Sequence, residues 1–287
     1  MTSKCWQISF FPKNEPSPEF IDFLESFFEV TAQNYSDDGN DEYIGYQSTF
    51  FDEQQMLKSA SNIGISLPPY QISELKSENW LKDYVIEFPS FEVADFCIYG
   101  IHEKQQPTTK KIPLQIYAAT AFGSNHQTTQ SCIKALSELK QNGFSAQKVL
   151  DVGTGSGILS LCSAKLWPNA QILASDIDEE AVVVTGSNAQ TNNLHNQINT
   201  IQSNGYQNNI IAKSSPYDLI LSNILANPLI TFSSSLSQNL ISGGYCILSG
   251  FVDDQVDDVI SAHQKHNLKL IKLYSHDNWR TALMQKD

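Results

Sequence analysis

Val149-Leu150-Asp151-Val152-Gly153-Thr154-Gly155-Ser156-Gly157-Ile158-Leu159-Ser160 is the stretch whose reading decides the fold. A short apolar run of buried-strand character leads into a turn with glycine at alternate positions, then into the start of a helix. Glycines at 153, 155 and 157 allow positive φ and remove the β-carbons that would hold a ligand off the backbone. A helix that begins here presents N–H groups to whatever docks at its end. The spacing narrows the ligand. Dinucleotide sites use Gly-x-Gly-x-x-Gly or Ala, whose third small residue lets helix and strand pack closely beside a pyrophosphate. Here the third glycine falls one position early and residue 158 is Ile. Gly-x-Gly-x-Gly after an Asp that ends a strand is the spacing of S-adenosylmethionine sites; a glycine turn made only for packing is the competing reading.

Two further segments bear on the same chemistry. Gln171-Ile172-Leu173-Ala174-Ser175-Asp176-Ile177-Asp178 is apolar and then acidic, where the next parallel strand of a βαβ unit should end. A carboxylate at that tip can accept both hydroxyls of a ribose, and Asp176 is assigned to it. Asp178 precedes a helical run with Glu179 and Glu180 in its first turn, the pattern of an N-cap. Tyr217-Asp218-Leu219-Ile220-Leu221-Ser222-Asn223 is continuously apolar before its polar tip, as a central parallel strand should be. Pro228 soon after it is expected to force an irregular loop. Asn223 is either a ligand at that tip or a turn residue bonding its own backbone.

The chain resembles the bacterial methyltransferases of large-subunit ribosomal protein eleven, class I enzymes that use S-adenosylmethionine. The shared residues are Ala121-Phe122-Gly123 with His126 and Thr128-Thr129, the glycine turn from Asp151 to Ser160, and Asp176-Ile177-Asp178. They continue through Asn223-Ile224-Leu225-Ala226, Leu248-Ser249-Gly250 and Trp279-Arg280-Thr281-Ala282-Leu283. The resemblance implies cofactor contacts at Thr129, Gly153, Asp176 and Asn223, with Asn223 also positioning the target amine; Gly155, in the same glycine turn, is a further cofactor-binding candidate. It implies N-methylation of lysine, with N-terminal amines as a further class, on a basic ribosomal protein. One departure stands out. The family carries Phe-Gly-Thr-Gly-x-His-x-Thr-Thr, whereas Phe122-Gly123-Ser124-Asn125-His126-Gln127-Thr128-Thr129 is one residue shorter and lacks the second glycine. Two other functions stay open: a non-catalytic paralogue that binds a protein partner, suggested by that contraction, and a nicotinamide-dependent oxidoreductase, disfavoured by the glycine spacing and Ile158.

Composition fits an enzyme of the cytoplasm. The chain has 287 residues, 41% of them hydrophobic, which suggests two domains with filled cores. Its start lacks the apolar core and cleavage site of a signal peptide, and no run approaches the roughly 18 apolar residues of a membrane span. The five cysteines are scattered without Cys-x-x-Cys or paired histidines, so neither a metal site nor a disulfide framework is expected, and Cys162 reads as a buried small hydrophobe. Net charge is −13. Residues 1–80 hold 13 Asp and Glu against 4 Lys. No basic face suggests sequence-specific nucleic-acid binding, and the acidity either suits a basic protein target or serves solubility.

The expected fold is α/β, with a doubly wound Rossmann-like methyltransferase domain at 118–287 preceded by a small α+β ferredoxin-like domain. In the first 78 residues, strands at Cys5–Phe11, Val30–Tyr35, Tyr43–Phe51 and Tyr70–Leu75 alternate with helices at Pro18–Phe28 and Asp52–Asn62. That βαββαβ order is ferredoxin-like, and the resemblance makes it a substrate-recognition domain. Residues 79–117 form a linker with two strands within Val85–Ile101 and a polar loop at Glu103–Lys111. Gly243-Gly244 is read as a turn before a strand. Val252, Val256, Val259 and Ile260 mark a helical face, and Lys269–Tyr274 with Trp279–Met284 form a closing antiparallel hairpin. His126 is either a catalytic base or, the favoured reading, a residue that orders its loop.

Overall fold

The structure, a computed structural model, describes residues 5–13, 16–28, 30–34, 42–47, 51–75, 90–103, 105–117 and 126–287. Two compact units divide at Tyr84 and Val85.

The first unit carries β1 (Cys5–Phe10), α1 (Pro18–Phe27), β2 (Val30–Asn34), β3 (Glu42–Gln47), α2 (Glu53–Asn62) and β4 (Tyr70–Leu75). The sheet runs β2-β3-β1-β4 with every neighbour antiparallel, the ferredoxin-like arrangement. Local chemistry sets its helix starts. Ser17 caps α1 by accepting from Phe20 N–H, with Pro18 at the first helical position. Asp52 caps α2 through the N–H groups of Gln54 and Gln55 at 2.9 and 3.2 Å. The core is strongly aromatic: Phe10 meets Phe20 and Phe28 edge-on at 5.5 and 6.0 Å between centroids. The Phe28 ring lies directly over Gly45, only 2.4 Å from where a β-carbon would stand.

The second unit has a seven-stranded sheet built from β8 (Lys148–Val152), β9 (Gln171–Asp176), β10 (Ile198–Gln202), β11 (Tyr217–Asn223), β12 (Leu240–Val252), β13 (Leu268–His276) and β14 (Trp279–Lys286). Its order is β10-β9-β8-β11-β12-β14-β13, parallel except around β14. Side chains alternate between two cores, as a pleated sheet requires. Val149, Ile172, Leu219, Leu221 and Ile247 face one side, Leu150, Leu173, Ile220, Cys246 and Leu248 the other. The first core holds α3 (Gln127–Gln141), α4 (Ile158–Leu166) and part of α5 (Glu179–Thr191); the second holds α7 (Ala226–Asn239) and α8 (Val256–Gln264), with α6 (Asn209–Ser214). Both faces are covered, which is why the central strands read as unbroken apolar runs. A three-stranded sheet, β5 (Phe91–Val93), β6 (Phe96–Gly100) and β7 (Ile112–Ile116), adds Val93, Phe96, Ile98, Leu114 and Ile116 to the first core.

Two expectations are corrected. Pro228 lies in the first turn of α7 and forces no loop, because a residue there has no intrahelical partner for an N–H and proline lacks that group. Gly243 is no turn between elements: it sits inside β12 at φ +77, where the register against β11 jumps, so the glycine pair makes a bulge. Residues 76–89 and 118–125 lie outside the described residues, and with them the early part of Val85–Ile101 and the contracted segment 121–125. The closing hairpin, the Asp178 cap and the burial of Cys162 stand as expected.

Gly45→Ala should push against the packed Phe28 ring and lower the stability of the first unit by about 1–3 kcal/mol. Segment-resolved hydrogen exchange would show faster exchange at β1 and β3 and unchanged exchange at β8. Equal protection in variant and wild type would refute the contact.

Candidate functional site

Parallel strands β9, β8 and β11 are neighbours, so Asp176, the glycine turn and Asn223 emerge side by side at one carboxyl edge. Strand order reverses between β8 and β11, and in open α/β sheets that reversal opens a crevice. Each strand tip is tied to the next. Gly153 and Thr154 donate their N–H groups to the Ser175 carbonyl at 2.8 and 3.0 Å. Gly155 N–H donates to Asp176 Oδ2 at 2.9 Å, and Asp178 N–H to Asp176 Oδ1 at 3.1 Å. Asp176 is nearly buried, yet an ionised carboxylate offers about four acceptor positions and these two bonds occupy half of them.

The three turn glycines all take positive φ, at +76, +56 and +80. The structure also revises the reason for two of them. A β-carbon on Gly153 would come within 2.2 Å of the Ile224 methyl, and one on Gly157 within 2.7 Å of the Thr185 methyl. Those two positions are bare because protein presses on them from the neighbouring strand tip and from α5.

Gly157 stands at the N-cap of α4 and has no side chain to cap with. Asp151 sits beside that helix start. Its Oδ2 accepts from the Ser160 and Thr154 hydroxyls at 2.6 and 2.8 Å. Its Oδ1 is buried and meets no donor among the described residues. Burial pushes the Asp151 carboxyl up to about 6; the two hydroxyls and the Ser160 N–H oppose the rise, and the Asp176 charge adds to it. Sequence reasoning gave Asp151 no role of its own, although it stood in the quoted motif. Glu180, in the first turn of α5, is pushed up to about 7 by burial, with the Asp178 charge adding.

Across the crevice, Asn223 Nδ2 donates to Thr129 Oγ1 at 3.1 Å, joining residues 94 apart in the chain. All five predicted site residues therefore gather at one edge. Ile224 N–H donates to the Ser249 carbonyl at 3.0 Å, which fixes the chain just after Asn223. That close pass explains Gly250, at φ +94, where a β-carbon would lie 2.3 Å from the Ile224 carbonyl oxygen. His126 caps α3, its Nδ1 accepting from Thr128 N–H at 3.3 Å, and its ring meets Trp279 edge-on at 5.0 Å. Gln127 donates to the Asp277 carboxylate, joining the start of α3 to the turn of the closing hairpin. Among the described residues no group of His, Cys, Asp and Glu could hold a metal ion, and no helix is long and apolar enough to cross a membrane.

The chain is similar to known proteins in sequence and in fold. A profile of the ribosomal protein L11 methyltransferase family matches residues 24–287. A protein of that name from Brucella suis is 32% identical over 267 residues, covering 89% of this chain and 93% of its own. One from Rhodopseudomonas palustris is 31% identical over 216 residues, 75% of this chain and 72% of its own. The crystal structure of a ribosomal protein L11 methylase from Lactobacillus delbrueckii subsp. bulgaricus superposes with a TM-score of 0.61 at 25% identity, over 70% of this chain and 99% of that one. With the matched region spanning the glycine turn, both flanking strand tips and the closing hairpin, the chain belongs to the ribosomal protein L11 methyltransferase family.

Proposed function

We propose that the chain is a cytoplasmic, S-adenosylmethionine-dependent protein methyltransferase. Its acceptors are lysine side chains and N-terminal amines of the large-subunit ribosomal protein L11. The observation that carries this reading is the Asn223–Thr129 bond at the same sheet edge as the glycine turn, which fixes a carboxamide where the strand order reverses. The relatives' names supply the acceptor protein. The acidity of the first 80 residues suits a basic target and the role of substrate recognition for that unit.

The residues present fit the cofactor. Asp176 keeps acceptor positions for the two hydroxyls of a ribose. The orphaned Asp151 Oδ1 is the kind of acceptor an α-ammonium group satisfies; a buried acceptor left unpaired costs about 1–3 kcal/mol. When bound, the cofactor supplies a methyl group on positively charged sulfur, ready for in-line displacement.

The chain's own task is then to present a neutral amine on that line. A free lysine has a pKa near ~10.4, so nearly all of it is protonated and unreactive at neutral pH. A water-poor crevice disfavours the cation and lowers that value. Thr129 engages Asn223 Nδ2, which leaves Oδ1 to accept an amine N–H and so aim the lone pair. His126 Nδ1 is committed to the start of α3, so the proposal assigns it no proton-transfer step.

The direct test is the mass of ribosomal protein L11 after incubation with enzyme and S-adenosylmethionine. Shifts in steps of one methyl group are expected, abolished in Asn223→Ala; an unmodified L11 in the wild-type reaction would favour a non-catalytic binder. Asp176→Asn should weaken cofactor binding by about 1.5–3 kcal/mol in calorimetry, as expected for a charge-assisted hydrogen bond lost. An unchanged dissociation constant would show that the wrong acid was assigned.

A pH dependence follows from Asp151. In the cofactor-free fold its carboxyl keeps a proton up to about pH 6 that an unfolded carboxyl releases near ~3.9, so its contribution to stability declines as pH rises between those values. Cofactor affinity moves the other way, rising from pH 5 to 7 as the carboxylate forms beside the ammonium. Glu180 titrates in the same window but is kept in Asp151→Asn, so the difference between the two titrations isolates Asp151. Parallel titration curves would remove Asp151 from the site.

A further inference from the structure

The inward face of α5 is unusual for a core helix. Thr185, Asn188 and Asn192 stand there at helical spacing, each at most 8% exposed. The two asparagines treat the backbone as a neighbouring strand would. Asn192 accepts from Gln115 N–H at 3.1 Å and donates to Gln115 O at 2.6 Å. Asn188 accepts from Tyr117 N–H at 2.7 Å and donates to Tyr117 O at 3.0 Å. Gln115 lies in β7, at the edge of its three-stranded sheet, and Tyr117 directly follows that strand. The match is geometric: four residues of helix rise about 6 Å, close to the roughly 6.6 Å spanned by two residues of strand. Side-chain amides one helical turn apart thus bond alternate residues along this edge.

Asn188 does something that Asn192 does not. Its Nδ2 also donates to the Ser156 carbonyl in the glycine turn, at 2.8 Å. One turn earlier, Thr185 Oγ1 donates to the Gly155 carbonyl at 3.0 Å, and its methyl backs onto bare Gly157. Two successive carbonyls of the turn are therefore pulled toward α5. In a trans peptide the N–H points opposite to the C=O, so these bonds turn the N–H groups of Ser156 and Gly157 away from α5. The Gly157 N–H accordingly reaches the Thr154 carbonyl at 2.8 Å.

We propose that Asn188, with Thr185, is a positioning residue for the cofactor: its carboxamide locks the peptide planes of the glycine turn to the end of β7. This rests on the reading that the turn holds S-adenosylmethionine. Asn192 provides the internal comparison, since it makes the same bonds to β7 and none to the turn.

The experiment uses the full chain and three variants, Asn188→Ala, Thr185→Val and Asn192→Ala. Melting temperature is measured without cofactor, and the Kd for S-adenosylmethionine is measured by calorimetry well below the lowest melting point. Asn188→Ala and Asn192→Ala should both melt earlier, because each removes two bonds to the β7 segment. Of these two, Asn188→Ala alone should weaken cofactor binding, by about tenfold. Its KM for the cofactor should rise while KM for the acceptor protein holds. Thr185→Val, close in shape, should bind several-fold more weakly than wild type. Cofactor binding unchanged in Asn188→Ala, or weakened equally in Asn192→Ala, overturns the proposal. If Asn188→Ala does not fold, Thr185→Val binding with wild-type Kd overturns it. A wild-type chain that binds no cofactor overturns the functional reading itself, a result distinct from all of these.

Discussion

Contact between Gly153 and Ile224 governs the geometry of the second unit. A methyl group cannot stand between them. The turn that leaves β8 and the segment that follows β11 are therefore pressed together where the sheet reverses its order. The same segment is pinned from its other side, where Ile224 bonds the Ser249 carbonyl and passes over bare Gly250. Asn223 sits directly before this clamp, so its carboxamide is aimed by backbone that has little room to move. Catalysis by orientation needs that rigidity, since a misplacement of about 1 Å can cost a hundredfold in rate.

The electrostatics follow from this crowding. Two carboxylates, Asp151 and Asp176, sit close to the turn, and only Asp176 has a donor on each oxygen. Asp176 takes two backbone N–H groups, while Asp151 takes two hydroxyls on one oxygen and leaves the other bare. A buried, half-satisfied carboxylate is a destabilising feature in an apolar core. It becomes favourable only where a cation stands beside it, which is the reason the proposed reading sets the ammonium group of the cofactor there.

How much of this was legible in the sequence depends on how local each interaction is. The βαββαβ order, the alternating domain and the closing hairpin follow from periodicity and turn residues within ten or so positions. The Asp178 cap and the burial of Cys162 are equally local. Pro228 and Gly243 were misread because the same residue type serves opposite ends: proline breaks a helix interior but suits its first turn, and Gly-Gly makes a hairpin turn or a bulge depending on the partner strand. Asn223 and Thr129 were placed by resemblance, and their contact across 94 residues bears out only their proximity. Asn188 and Asn192 left almost no trace, since their partners lie 71 and 77 residues away and a helix can carry asparagine on a solvent face.

That last case clarifies why polar residues persist in a core that could be apolar. A leucine at position 188 would bury more hydrocarbon, but it would leave the Tyr117 N–H and the Ser156 carbonyl without these partners. Each lost bond costs about 0.5–1.5 kcal/mol, comparable to the burial gained. Stability alone is therefore nearly indifferent between the two choices. Geometry is not: apolar packing fixes no peptide orientation, whereas a carboxamide bonded to three main-chain groups admits one. The amide at 188 is better explained by the precision it gives the turn than by the stability it adds to the fold.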